Sequence, residues 1–531
     1  MFAGTCGYFS RHPMVRDALI WSIPAILLGG FLRALMLPYI PYAYWGSDSG
    51  SYFDFAYELL TRGGLSIDAK RRYIYPLWMA FVGVLPGSPL RWTAWLQHFL
   101  GLMTLVPLAY TVRKIFAAWR WWIVPVTTIY AGLPVILWYE HELIGDCLFI
   151  DFLVWACAGW AAWVKAREPQ RTVNWWWFFV PFALMILTKP SGRFYISGIL
   201  IGIILVRAWR ILRWHHAVAF VAVVLLTIGM GRDNQSSWLL YSTAFPLTRL
   251  DTPLHAEYKA QIRDLVEESR ANIDTYYKND RSSFLRFLDR AAGRPLWQKL
   301  GRDRTTRTRI YKDLALEGIR SRPDLFLYIS FQRILASANS SEFKQMRFGG
   351  ATYAKRFKHL YDEMVVKTPD YFRFLFALPK SAPIPEYEVV TGWVSPRPNS
   401  GAATMLQSYV RWISKRANFL ATSESHVKGK VTRLRPTLLG WWLAGSTLLS
   451  LALKRYRNTL GVWSIAAAGY LVGTFFLAVP SPRYFAPVWS VLVLLLALPA
   501  DAVVRLIRKI VAPGSKNKVT VKEGSGETPT P

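Results

Sequence analysis

Apolar runs of 13 to 22 residues, several of them closed by a cluster of cations, recur along this chain, and they predict helices that cross a bilayer, the longer ones at full length. The first covers Arg16–Leu37, with Arg11 and Arg16 ahead of it. A polar, charged stretch follows at once, Ser47–Pro76, reading SDSGSYFDFAYELLTRGGLSIDAKRRYIYP. Within it Asp48, Tyr52 and Ala56 recur every fourth position, so a helix there stacks all three on one face with a carboxylate at its start. Lys70, Arg71 and Arg72 then share the loop with that acid. Tyr73–Leu90 is apolar but short and cut by prolines, which predicts an interfacial helix rather than a span. Further spans are predicted at Trp92–Val112, Trp121–Tyr139, Cys147–Val164, Trp175–Leu187, Phe194–Val206 and Ala217–Met230, then Pro436–Leu453, Leu460–Val479 and Tyr484–Val504.

The cations give these runs a direction. Arg113, Lys114 and Arg120 close one run; Lys165, Arg167 and Arg171, then Arg207, Arg210 and Arg213, lie in later loops of the same parity, while Glu140–Gly145 carries no Lys or Arg. The positive-inside rule then puts both termini in the cytoplasm and the Asp48 loop outside, with about ten spans in all. Counting Tyr73–Leu90 as a span would invert the pattern. The chain divides into an N-terminal transmembrane catalytic module at 1–230 with its first outer loop at 38–91, an exoplasmic segment at 231–435, C-terminal transmembrane helices at 436–509 and a polar tail at 510–531. In the exoplasmic segment PDLFLYISFQRILASA suits an interfacial helix or a small domain core, and pattern alone leaves both open. The predicted fold class is therefore an all-α polytopic membrane protein with outer juxtamembrane helices and a soluble exoplasmic insertion.

Composition agrees and excludes alternatives. Hydrophobic residues make up 53% of 531, with 25 Trp, 26 Tyr and 30 Phe, as a polytopic protein requires. A net charge of +31 is spread over the ends of apolar runs rather than gathered in one basic domain, so topology accounts for it and nucleic acid is not an expected partner. Cys6, Cys147 and Cys157 form neither a disulfide framework nor a zinc set. No cleavable signal is apparent, and the first run is expected to stay as an anchor, usual for a bacterial inner-membrane protein. No internal repeat is evident, which disfavours an inverted-repeat transporter.

Four patches fall on the predicted outer side: Asp48 with Arg72; Glu140-His141-Glu142, with Asp146 one helical turn beyond; Lys189-Pro190-Ser191-Gly192-Arg193; and Ser481-Pro482-Arg483-Tyr484. Singly each has a structural reading, as a helix-start acid, a snorkelling cation or a turn. Jointly they suit a reaction between a hydroxyl and a phosphate ester. A carboxylate deprotonates the hydroxyl, and guanidinium or ammonium groups hold the phosphate as charge builds on its departing oxygen.

At these residues the sequence resembles bacterial membrane glycosyltransferases of the GT-C superfamily, the group that includes protein O-mannosyltransferases and lipid A aminoarabinose transferases. The resemblance rests on Asp48 with Tyr52 and Ala56, Gly64-Leu65-Ser66, Arg72, Tyr75-Pro76-Leu77, Glu142, Leu187 to Gly192, and Arg483-Tyr484. It implies an inverting transfer of sugar from a polyprenyl-monophosphate donor in the membrane lipid to a glycan, lipid or protein acceptor. By the same resemblance Asp48 is the expected base, Glu142 orients acceptor or base, Arg72, Lys189, Arg483 and Tyr484 surround the donor phosphate, and Tyr52, His141 and Arg193 are candidate pocket residues. Many relatives carry a second acid beside the first; here Ser49 follows Asp48, so a metal is not indicated. Two other classes stay open. A polymerase or ligase would take a pyrophosphate-linked donor through basic and His residues. A flippase would want charged residues midway along several spans, whereas the predicted spans are mostly clean, Asp151 being the main exception.

Overall fold

A computed structural model of the protein describes residues 13–45, 49–63, 72–116, 119–166, 175–228, 235–271, 304–338, 369–394, 401–414, 421–426, 430–477 and 482–511, together with 273, 361, 362 and 365. It is a helical membrane protein. Four helical stretches are long and apolar enough to cross a bilayer: Pro13–Tyr39, Pro89–Ile115, Asp146–Val164 and Ala486–Arg508. A fifth candidate is bent by 54° between Arg120–Ala131 and Pro134–His141. The bend has a local cause. Pro134 cannot donate into the preceding turn and holds Leu133 extended, at φ −67° and ψ 114°.

The remaining apolar runs also form helices, but shorter ones. Trp176–Thr188, Gly192–Leu205, Trp214–Ile228, Leu438–Ala452 and Val462–Leu477 have 13 to 16 residues, about 20–24 Å at 1.5 Å per residue. By length and composition the count of spanning helices among the described residues is thus four or five, against about ten from the sequence. Tyr73–Leu90 contains the ten-residue helix Ile74–Gly83. Pro190 holds Lys189 extended, at φ −144° and ψ 132°, and ends the Trp176–Thr188 helix close to its expected bound. The spans are also less clean than the sequence suggested. Arg33 and His98 lie inside the first two, buried and bonded to Glu140.

Small residues let the helices approach closely, as membrane helix pairs do. A Cβ on Gly159 would lie 2.0 Å from the Trp177 carbonyl oxygen, and one on Gly198 2.7 Å from the Ala466 Cα. Gly159→Ala is therefore expected to destabilise the protein by about 3 kcal/mol, the upper part of the overpacking range. Gly30→Ala, with nothing within 4 Å of the new methyl, is the matched control. Thermal unfolding in detergent compares them, and equal midpoints would refute the close crossing.

Between the N- and C-terminal helices, Gln235–Ala244, Ala256–Ala271, Arg304–Ser321 and Pro323–Ala338 share a second core built on Tyr241, Phe245, Ile262, Leu265, Leu314 and Ile329. This resolves the PDLFLYISFQRILASA stretch: Phe326, Ile329 and Leu335 face that core while Leu327 and Phe331 are exposed. The same helix packs against the Pro482–Phe485 turn. Further on, Pro369–Phe376 covers the first loop, with Tyr371 edge-on to Tyr57 at 4.9 Å and to Phe53 at 5.8 Å. Burial, aided by the charge of Asp54, holds the Tyr371 phenol well above its usual pKa. One feature corrects the all-α class: Ala421–His426 and Lys430–Pro436 pair as an antiparallel hairpin with Glu424 opposite Arg433. ATSESH has no apolar alternation, so nothing in the pattern signals a strand.

Candidate active site

The site is organised by a short linker, Glu142 to Gly145, between the bent pair and the Asp146–Val164 helix. Its backbone is extended at Glu142, φ −88° and ψ 139°, and takes on the incoming first loop as an edge partner. Tyr44 N–H donates to the His141 carbonyl at 2.7 Å and Leu143 N–H to the Tyr44 carbonyl at 2.8 Å. Beyond residues 46–48 the loop is tied to the same linker again, because the buried Ser49 hydroxyl donates to the Leu143 carbonyl at 2.7 Å. Asp48 itself lies outside the described residues. The helix that Ser49 opens, Ser49–Arg62, buries Tyr52 and Ala56 on one face.

The next residue along, Asp146, begins a helix and is fully buried. Both of its oxygens accept from distant cations. Lys189 Nζ bonds Oδ1, and Arg483 Nε donates to Oδ2 at 2.7 Å. Lys189 reaches it from the extended link at the end of Trp176–Thr188, and Arg483 from the turn Pro482–Phe485. Tyr75 and Thr188 pack beside Gly145, at ordinary contact distance from its Cβ position. Two cations against one carboxylate leave these three groups with one net positive charge, and the N-terminal dipole of the Asp146 helix adds to it. That is the electrostatics of an anion site. With both oxygens occupied by cations, Asp146 serves as a clamp on Lys189 and Arg483 rather than as a proton acceptor.

The other nominated residues are distributed around this clamp. Glu142 was expected at a helix start; it stands instead in the extended linker, half-buried, accepting from Trp138 Nε1 at 3.2 Å. Pro134–His141 ends before it, and the helix-start acid is Asp146. Gln97 Nε2 donates to the Glu142 carbonyl at 3.0 Å and Gln97 Oε1 accepts from the Tyr75 hydroxyl at 2.8 Å. Tyr75 meets Tyr52 edge-on at 4.9 Å, so the linker, the entry helix and the first loop are joined through one glutamine. Arg72 is buried at the entry to Ile74–Gly83. Tyr484 belongs to the Pro482–Phe485 turn, its side chain outside what is described. Arg193 sets its guanidinium over the Phe194 ring at 5.2 Å, and His141 is fully buried between Tyr42 and His98. Among the described residues no group of three or more His, Cys, Asp and Glu is placed to hold a metal.

Sequence reasoning passed over two things here. The clamp role of Asp146 was one, although an acid following a glycine at the head of an apolar run is a readable helix-start signal. The other was Arg33, a cation inside an apolar run, which by itself calls for a buried partner.

No protein-family model and no curated protein matches this chain. Solved structures that resemble it include two of an archaeal enzyme. The oligosaccharyltransferase of Archaeoglobus fulgidus complexed with zinc and sulfate shares 11% identity at a TM-score of 0.38, over 93% of this chain and 50% of that one. The oligosaccharyltransferase AglB from the same archaeon, complexed with an inhibitory peptide and a dolichol-phosphate, shares 13% identity at a TM-score of 0.39, over 97% and 53%. This chain thus spans about half the length of either.

Proposed function

We propose that the protein is an inverting glycosyltransferase of the GT-C type. In this reading it moves a sugar from a polyprenyl-monophosphate carrier to an envelope glycan, lipid or protein at the non-cytoplasmic face of a bacterial plasma membrane. The observation that carries the reading is the convergence of Lys189 and Arg483 on Asp146, beside a linker to which the loop is tied on both sides of Asp48. Asp48 takes the proton from the acceptor hydroxyl. The acceptor oxygen bonds to the anomeric carbon as the bond from that carbon to the phosphate oxygen breaks, and the electron pair leaves with the phosphate. Lys189 and Arg483, with Arg72, stabilise the charge growing on that oxygen. A monophosphate diester in the donor carries one negative charge, which the excess of these cations over Asp146 offsets.

The test compares two donor classes in proteoliposomes, a polyprenyl-monophosphate sugar and a polyprenyl-pyrophosphate sugar, each radiolabelled. Transfer from the monophosphate donor alone is expected. Transfer from the pyrophosphate donor alone would assign the protein to the polymerase or ligase class, and translocation of either lipid without transfer would make it a flippase.

A further inference from the structure

Away from the clamp, the membrane helices bury a second polar chain. Arg33 from the first span donates through Nε to Glu140 Oε2 at 2.7 Å and through Nη2 to Oε1. His98 Nδ1 lies 2.9 Å from the same Oε2, His98 Nε2 lies 3.0 Å from His141 Nδ1, and His141 Nε2 lies 3.0 Å from the Tyr42 carbonyl oxygen. All four side chains are buried, none more than 3% exposed. Room has been made for them: a Cβ on Gly101 would fall 1.9 Å from Glu140 Oε1, and one on Gly29 would fall 2.8 Å from Arg33 Nη1.

The protons of this chain can be counted. A backbone carbonyl only accepts, so His141 Nε2 carries hydrogen. The contact between the imidazoles needs one hydrogen between its two nitrogens, and the contact between His98 Nδ1 and the carboxylate needs another. Three hydrogens are required, and two neutral imidazoles supply two. Without the third, two lone pairs would face each other at 3 Å in a buried site. We infer that the Arg33, Glu140, His98 and His141 set is a membrane-embedded proton site, binding one proton beyond its neutral imidazoles and using it to hold the entry to the first outer loop.

Other groups face the set from neighbouring helices. Asp151 and Cys147 approach from the Asp146–Val164 helix and Tyr130 from Ile123–Ala131, Asp151 lying within electrostatic range of both Arg33 and Glu140. Asp151 accepts from the Thr104 hydroxyl at 2.9 Å. The consequence of the bound proton is local. His141 fixes the Tyr42 carbonyl, and the next two residues make the backbone bonds from Ala43 to Leu90 and from Tyr44 to His141. The inference concerns this loop entry and stands apart from the transfer reading.

Nitrogen-15 NMR of full-length protein labelled at histidine tests it. The pair is identified by its ring-to-ring nitrogen correlation and by loss of that signal in His98→Asn. One imidazolium shared by the pair is expected at pH 7. In the double variant Arg33→Met, Glu140→Gln an amide N–H can fill the last contact, so both rings are expected to become neutral while their mutual bond persists. Two neutral rings in the wild-type protein at pH 7 would overturn the inference. So would an imidazolium unchanged in the double variant. The wild-type spectrum decides the first point even if a variant fails to fold.

Discussion

Asp48→Asn is expected to lower glycosyl transfer by about 10²- to 10⁴-fold, the range that a positioned general base contributes, with no change in folded yield. The amide keeps the size of the carboxylate and loses its ability to take a proton. A collapse of the loop is not the expected cause, since the bonds that tie the chain on either side run through Tyr44 and Ser49 and are untouched by the substitution. Asp48→Glu retains a carboxylate at a shifted position and is expected to fall between the two. Transfer of labelled sugar in membranes, read beside gel filtration of the solubilised protein, checks both. Activity within threefold of wild type in Asp48→Asn would remove the proposed base.

The second large effect belongs to the clamp. Asp146→Asn leaves Lys189 and Arg483 facing a neutral amide in a buried site, and removing one partner of a buried ion pair costs about 3–5 kcal/mol. A lowered unfolding midpoint in detergent is expected, recovered in part by adding Lys189→Met, which removes one of the stranded charges. Taken singly, Lys189→Met and Arg483→Met are expected to reduce transfer and to raise the donor concentration needed for half-maximal rate. An Asp146→Asn protein as stable as wild type would show that the carboxylate does not hold the two cations.

How much of this could be read from the sequence depends on the range of the interaction. Apolar length and turn residues act locally, so the helices around Trp92–Val112 and Cys147–Val164 stand close to their expected bounds, and Tyr73–Leu90 yields a short helix. The number of spans is less legible: Pro134 bends a run that composition alone treats as continuous, and five other helices have only 13 to 16 residues. Lys189 and Arg483 were recognisable as cations at run ends. Their common partner was not, since Asp146 and Arg483 are 337 positions apart and nothing local announces the pairing. The same holds for Arg33 and Glu140, 107 positions apart. A strand of ATSESH composition is silent in any periodicity. Glu142 stands where one run gives way to the next, as the sequence indicates, but four residues ahead of the helix whose first acid is Asp146.

The turn that carries Arg483 packs against both the Val462–Leu477 helix and Pro323–Ala338. Anyone exchanging the middle segment of this scaffold would therefore have to transplant 323–338 and 482–485 as a matched set. A chimera that exchanged only the first would leave the turn that presents Arg483 to Asp146 without its fitted neighbour. The bond from Arg483 to Asp146 is then expected to weaken.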